Sequence, residues 1–124
     1  MIVQLDTSVL ISAIGGPGAP VLRRAIAGRH RLQVSAPVLY EWLRGPRTEA
    51  ELALQDALFP SDEAIAFGAS EAHQAAILYS SVKRARGREI DLAIAACAIV
   101  HGAALWTDNP RDFSDLPDLR LFAI

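Results

Sequence analysis

Four acidic residues occupy positions where a carboxylate could do more than solvate the surface. They are Asp6, Glu41, Asp91 and Asp108. If the fold gathers them, they would repel one another and raise their own pKa values, because no lysine lies among them. A hard divalent cation such as Mg²⁺ or Mn²⁺ relieves that repulsion, since it prefers oxygen ligands and keeps several waters. Such an ion can activate water and stabilise the charge that develops when a phosphodiester is displaced in line.

Asp6 and Asp91 adjoin the most apolar stretches of the chain. Asp6 directly follows an apolar segment, residues 2–5, and ligands of open α/β sheets bind at the carboxyl ends of strands. Its ordinary role would be to cap the next helix. Asp91 is the one charge in residues 90–100, a helix that is apolar all round and is therefore expected to be buried. Its ordinary role would be a partly exposed acid in the first turn, favoured by the helix dipole.

Glu41 and Asp108 also have two interpretations each. Glu41 borders the apolar stripe of a predicted helix, where it can join an acidic site or pair with Arg44 three residues later. Asp108 follows a predicted strand as Asp6 does, but it also suits a turn before Pro110. Asp112 lies four residues beyond Asp108 and could act beside it or in its place.

Strand-like and helix-like segments alternate along the chain, which predicts an α/β fold with a mainly parallel sheet. Strands are predicted at residues 2–5, 32–35, 64–67, 104–107 and 119–123. Helices are predicted at residues 9–14, 21–27, 36–44, 48–58, 70–84 and 89–101. Thr48 is expected to cap the fourth helix, with Glu51 completing a capping box.

Composition limits the class of protein. The chain has 124 residues, of which 52% are hydrophobic and 21% charged, so it is not disordered and suits one domain spanning residues 1–124. Its apolar run at 92–100 is far shorter than the ~20 residues of a membrane span. The N-terminus lacks the features of a signal peptide. A single cysteine, Cys97, cannot form an internal disulfide, which favours a reducing compartment. We therefore expect a cytoplasmic protein.

Other site chemistries have weaker support. Cys97 and three scattered histidines have no zinc-ligand spacing, and no serine nucleophile elbow is present. The glycine-rich segment 15–18 follows a predicted helix rather than a strand, unlike a phosphate-binding loop. The net charge is −2, yet ten of the 12 basic residues fall into three groups, and all of the basic residues but one are arginine. Arginine suits phosphate recognition, so these groups permit a nucleic-acid partner without requiring one.

Four short motifs in order resemble those of the PIN-domain family, and most of all its VapC toxins of type II toxin–antitoxin modules. The motifs are Leu5-Asp6-Thr7-Ser8-Val9-Leu10-Ile11, Tyr40-Glu41-Trp42-Leu43-Arg44-Gly45, Glu89-Ile90-Asp91-Leu92-Ala93-Ile94-Ala95-Ala96, and Leu105-Trp106-Thr107-Asp108-Asn109 with Arg111-Asp112-Phe113. Each motif is weakly specific. Their ordered set spans almost the whole chain, from residue 2 to residue 124, and is fairly specific.

The resemblance implies a three-layer α/β/α fold with a parallel central sheet and a ribonuclease that depends on Mg²⁺ or Mn²⁺. It implies that Asp6, Asp91 and Asp108 hold the principal metal, and that Glu41 holds a second ion or orients the attacking water. Thr7 or Thr107 would support the metal-bound waters. Some relatives carry their last acid at the position of Asp108 and others nearer that of Asp112, so the fourth acid is open.

The resemblance also implies partners: an RNA substrate, a second copy of the chain in a homodimer, and a cognate antitoxin that inhibits the enzyme. Candidate contacts to the RNA backbone are Arg44, Arg84, Arg86 and Arg88. Two alternatives stay open. One is a PIN-fold module that binds RNA or protein without catalysis. The other is a receiver-like or phosphatase-like α/β protein that uses Asp6 as a phosphate acceptor.

Overall fold

A computed structural model describes residues 1–123. The chain forms β1 (Ile2–Leu5), α1 (Thr7–Gly15), α2 (Ala19–Ala27), β2 (Arg31–Gln33), α3 (Ala36–Arg44), α4 (Glu49–Leu58), α5 (Ala69–Ser81), α6 (Glu89–Val100) and β3 (Ala104–Trp106). Short 3₁₀ helices lie at Ser61–Glu63 and Pro110–Phe113. None of the helices in the described range is long and apolar enough to cross a bilayer.

The three strands form a parallel sheet in the order β2-β1-β3, with β1 in the centre. Val3 lies opposite Leu32 on one side and Ala104 on the other. The predicted α/β class with a parallel central sheet is therefore confirmed. Because parallel strands end at the same edge, the residues that follow β1 and β3 are neighbours in space.

Helices cover both faces of the sheet, which gives the predicted three layers. Successive residues of a strand point to opposite faces, yet Val3, Gln4 and Leu5 are each at most 1% exposed. Gln4 Nε2 donates a hydrogen bond to the backbone oxygen of Cys97 at 3.3 Å, so α6 packs on the face of Gln4. Apolar residues of α6 line this layer: Leu92, Ile94, Ala95, Ala96, Cys97 and Ala98 are buried.

The strand predicted at 64–67 is wrong in extent, because only Ile65 pairs, in an isolated parallel bridge with Ser35. The 3₁₀ helix Ser61–Glu63 ends just before it, and Gly68 is already the N-cap of α5.

The strand predicted at 119–123 is also reduced, to one bridge between Leu105 and Leu121. Leu105 donates its N–H to the Arg120 oxygen and accepts from the Phe122 N–H, both at 2.8 Å. Asp118 has φ of 66°, so the chain is still turning shortly before it reaches β3. Residue 124, the last of the chain, lies outside the described residues.

The helix predictions hold with shifted ends. At α4 the predicted capping box is confirmed: Thr48 Oγ1 accepts the Glu51 N–H at 3.1 Å, and Glu51 Oε1 accepts the Thr48 N–H at 2.9 Å. The helix predicted at 70–84 ends earlier, at Ser81, because Val82 takes an extended conformation.

Candidate active site

The carboxylate of Asp6 accepts hydrogen bonds from two hydroxyls rather than from the backbone N–H groups of α1. Asp6 occupies the N-cap position of α1, but its side chain makes no capping hydrogen bond. Ser8 Oγ donates to Asp6 Oδ2 at 2.9 Å, and Thr107 Oγ1 donates to the same oxygen at 2.7 Å. The side-chain cap is therefore excluded as the reason for an acid here. Oδ1 receives neither hydroxyl, and the residue is 6% exposed.

The same two hydroxyls also fix the turn that follows β3. Ser8 Oγ accepts the backbone N–H of Asp108, and Thr107 Oγ1 accepts that of Asn109, both at 3.0 Å. Each hydroxyl thus donates to Asp6 and accepts from the turn. Ser8 is not among the predicted site residues. The sequence signal that could have identified Ser8 is its position two residues after Asp6, at the start of α1.

Glu41 is directed toward the start of α1. Thr7 Oγ1 donates a short hydrogen bond of 2.6 Å to Glu41 Oε1. The alternative pairing with Arg44 is present as well, from Nη2 to Oε2, but it is long at 3.4 Å and the Arg44 side chain is 51% exposed. An exposed ion pair of this kind contributes little. The bond from Thr7, the neighbour of Asp6, is the contact that orients Glu41.

Asp91, the third residue of α6, shows that the acids are gathered. Burial is the main cause that raises its pKa from the ordinary 3.8 to about 6, and the negative charges of Asp6, Glu41 and Asp112 act in the same direction, against the opposing charge of Arg88. Charges of this kind act over short distances, so the three other acids lie near Asp91. The structure thus places Asp91 in one electrostatic neighbourhood with Asp6 and Glu41.

Asp108 and Asp112 differ in their surroundings. Both residues are exposed, but Asp112 is among the charges that raise the pKa of Asp91 and Asp108 is not. Asp108 lies instead beside a cavity of about 220 Å³. Its other lining residues are Val9, Ser12, Gly18, Val21 and Trp106. Of the two alternatives for the fourth acid, the electrostatics favour Asp112.

Arg88, a predicted RNA contact, has its guanidinium engaged within the protein. Nη1 and Nη2 each donate to one oxygen of Asp115 at 2.8 Å, and Nη2 also donates to the backbone oxygen of Asp112 at 3.0 Å. The hydrogen bonds to Asp115 are the main reason that the pKa of Arg88 is raised. The other predicted RNA contacts, Arg44, Arg84 and Arg86, are exposed.

The donors at this site suit a hard cation that keeps much of its water. All are carboxylate or hydroxyl oxygens, which fit Mg²⁺ or Mn²⁺ better than zinc. Within residues 1–123, no three histidine, cysteine or acidic side chains stand close enough to enclose one ion. Mg²⁺ does not need such a cage, since it is commonly held by one or two carboxylates, waters and substrate phosphates. A bound cation would stabilise the ionised carboxylate of Asp91 and so lower its raised pKa.

Comparison with known proteins agrees with this architecture. VapBC2 from Rickettsia felis, solved with a promoter DNA fragment, is 24% identical with a TM-score of 0.76, and 98% of each chain is covered. The DNA-bound VapBC of Salmonella typhimurium is 22% identical with a TM-score of 0.80, covering 98% of this chain and 97% of that one. A toxin–antitoxin complex from Klebsiella pneumoniae is 23% identical with a TM-score of 0.72, covering 98% and 99%.

No curated protein sequence matches this chain. These structural matches are below 25% identity and establish the fold. The PIN domain family matches residues 3–119, nearly the whole length. The chain therefore belongs to the PIN domain family.

Proposed function

We propose that this chain is a metal-dependent endoribonuclease and the toxin of a VapBC-type toxin–antitoxin module. The observation that carries the proposal is the gathering of Asp6, Glu41 and Asp112 around Asp91, whose pKa rises to about 6. An acid whose pKa is strongly perturbed by burial and by neighbouring charges is characteristic of a functional site. PIN-family membership and the likeness to VapBC structures support the nuclease and toxin assignments.

Asp6, Asp91 and a third acid are proposed to hold Mg²⁺ or Mn²⁺, each directly or through a bound water. The third acid is Asp108 by motif, and Asp112 by the electrostatics of Asp91. When bound, the ion would act as a Lewis acid: it would neutralise charge on the phosphodiester and lower the pKa of a bound water.

The chain's own side chains orient the reactants. Ser8 and Thr107 hold Asp6 through Oδ2, which leaves Oδ1 without a hydroxyl donor. Thr7 holds Oε1 of Glu41, which leaves the other oxygen, Oε2, with only the long contact to Arg44. We assign Glu41 the task of orienting the attacking water and accepting its proton, or of holding a second ion.

Partners follow from the same assignment. The substrate is RNA, and the exposed arginines Arg44, Arg84 and Arg86 are proposed to contact its backbone, so affinity should fall as salt rises. The proposed protein partners are a cognate antitoxin and a second copy of the chain. The VapBC structures to which the chain is similar support the antitoxin partner. A cytoplasmic location is part of the proposal.

The test compares Asp6→Asn with Asp62→Asn, which removes the same charge at an exposed residue of the 3₁₀ helix Ser61–Glu63. Cleavage of single-stranded RNA is measured with Mn²⁺ and with chelator. The unaltered protein and Asp62→Asn should cleave only with metal, and Asp6→Asn should be inactive yet folded. RNA binding without cleavage by the unaltered protein would instead support a non-catalytic module. Phosphorylation of Asp6 by acetyl phosphate would support the phosphate-acceptor alternative.

A further inference from the structure

Arg88 fixes the loop after β3 at two points. Its guanidinium forms a two-pronged pair with the carboxylate of Asp115, with both N···O distances at 2.8 Å. It also donates to the backbone oxygen of Asp112 at 3.0 Å. Forked pairs of this kind combine strength with a defined geometry, unlike a single exposed contact. With its side chain 23% exposed, Arg88 is partly shielded from competing water.

Other contacts hold the same loop from inside the protein. Phe113 and Leu116 are buried, at 2% and 6% exposure. Asp112 donates its N–H to the Asn109 oxygen at 3.0 Å, and Asn109 is bonded to Thr107. Asp112 thus lies on a segment with apolar anchors beneath it and Arg88 at its outer side. The position of its carboxylate depends on both.

The helix turn that carries Arg88 also carries Asp91. Arg88 is the N-cap of α6 and Asp91 is the third residue of that helix, so one rigid turn joins them. Arg88 Nη2 binds the backbone oxygen of Asp112 at 3.0 Å, so the loop meets α6 at the turn in which that helix begins. The loop acid and the helix acid are therefore held in fixed relation by a side chain that begins three residues before Asp91.

We propose that Arg88 is a positioning residue that holds Asp112 beside Asp91, so that the two carboxylates can bind one divalent cation. This inference rests on the proposed function and deepens it. It differs from the predicted role of Arg88 as an RNA contact, because three of the five N–H donors of its guanidinium are bonded to the loop. It also differs from a purely electrostatic role, because a nearby positive charge by itself weakens cation binding.

The experiment measures Mn²⁺ affinity of metal-free protein by calorimetry, with hydrogen exchange of residues 109–116 as a second readout. Asp115→Asn breaks the forked pair while the charge of Arg88 and all the site acids stay in place. Arg88→Lys keeps the charge and loses the fork. Both should weaken Mn²⁺ binding by ~10-fold, the lower range for lost support of a metal ligand, and should speed exchange in the loop. Arg88→Ala should weaken it as well.

Arg120→Lys is the matched control, since Arg120 Nη2 donates to the Gly102 oxygen at 2.9 Å, a contact that does not involve the site acids. It should leave Mn²⁺ affinity unchanged. Tighter Mn²⁺ binding by Arg88→Ala with no change in Asp115→Asn would overturn the proposal in favour of charge alone. Unchanged Mn²⁺ affinity with weaker RNA binding would identify an RNA contact instead, and unchanged affinity with a lower melting temperature would identify a structural pair.

The same measurements separate this inference from the proposed function. An unaltered protein that binds no Mn²⁺ would overturn both. An unaltered protein that binds Mn²⁺ but cleaves no RNA would overturn the nuclease assignment alone, and the variants would then still test the role of Arg88. Variants that bind Mn²⁺ as the unaltered protein does would overturn the role of Arg88 alone.

Discussion

The hydroxyl of Thr107 donates a 2.7 Å hydrogen bond to Asp6 although 101 positions separate the two residues. Parallel pairing explains the proximity. Leu5 and Trp106 lie opposite each other in the β1–β3 register, and Asp6 and Thr107 are the next residues of the two strands. The backbone continues the pairing for one step, since Asp6 donates its N–H to the Trp106 oxygen at 2.8 Å. The bond between the side chains is therefore a direct consequence of the sheet.

Replacing Thr107 with valine should impair both activity and stability. Valine keeps the shape but removes the donor to Asp6 and the acceptor for the Asn109 N–H. We expect the free energy of unfolding to fall by about 1–3 kcal/mol, the cost of unpaired polar groups, and RNA cleavage to fall by ~10–100-fold. Denaturant unfolding and cleavage rates measure these effects. Thr107→Ser keeps the hydroxyl and should behave almost as the unaltered protein, whereas a fully active valine variant would contradict the role of this bond.

Asp91 should make the metal-free protein less stable at neutral pH. Its pKa is raised to about 6 in the folded state, mainly by burial and then by nearby acids, against an ordinary 3.8. The folded state therefore holds this proton more tightly than the unfolded state does. The stabilisation by the proton is complete below the ordinary pKa and is lost as pH rises through about 6. After allowance for solvent screening of a partly exposed group, its size is on the order of 1–2 kcal/mol.

Asp91→Asn isolates this effect from the other titrating groups. Without metal at pH 7.5, the variant should unfold at higher denaturant than the unaltered protein, and the difference should shrink as the pH is lowered below 5. Adding Mn²⁺ at pH 7.5 should raise the melting temperature of the unaltered protein by mass action and leave that of the variant nearly unchanged. An equal rise in both proteins would argue against Asp91 as a metal ligand.

Local sequence patterns predicted the elements that place the first acids. Apolar segments of strand length predicted β1 and β3, and their alternation with helices predicted a parallel sheet. Asp6 directly follows the first strand, so it was predicted to lie at the edge where the strands end. The apolar sequence around Asp91 predicted a buried α6, and six of its residues are buried. These inferences succeed because a strand or helix that is buried on all sides is apolar along its whole length, and the sequence shows this directly.

The loop after β3 could not be predicted in the same way. Asp108 and Asp112 both follow the same predicted strand, and no periodicity of the sequence distinguishes them as candidates for the fourth acid. The distinction comes from Arg88, which is 24 residues away from Asp112 and holds its backbone oxygen. The same holds for the two predicted strands that are reduced to single bridges, at Ile65 and Leu121. A 3₁₀ helix precedes the first bridge, and a left-handed turn at Asp118 precedes the second.

Thr48→Ala provides a stability change that should leave the site untouched. Thr48 caps α4 through the reciprocal bonds with Glu51, far along the chain from every site acid except Glu41. Loss of such a cap costs ~1 kcal/mol. Denaturant unfolding should show that loss, while Mn²⁺ affinity and cleavage rate stay the same under conditions where the protein is folded. Thr48→Ser restores the acceptor and should recover the stability. A fall in Mn²⁺ affinity in Thr48→Ala would show that α4 stability is coupled to the site.

Asp112→Asn and Asp108→Asn together identify the fourth acid. Asp112 adds negative charge at Asp91, whereas the exposed Asp108 lies beside the cavity lined by Val9 and Trp106 and is not among the charges that act on Asp91. We therefore expect Asp112→Asn to weaken Mn²⁺ binding and cleavage by ~10–100-fold and to lower the pKa of Asp91, because one repelling charge is removed. Asp108→Asn should change both quantities far less. Calorimetry with Mn²⁺, NMR titration of Asp91 and cleavage assays measure these effects. The reverse order of severity would return the role to Asp108 and show that the loop rearranges when the ion binds.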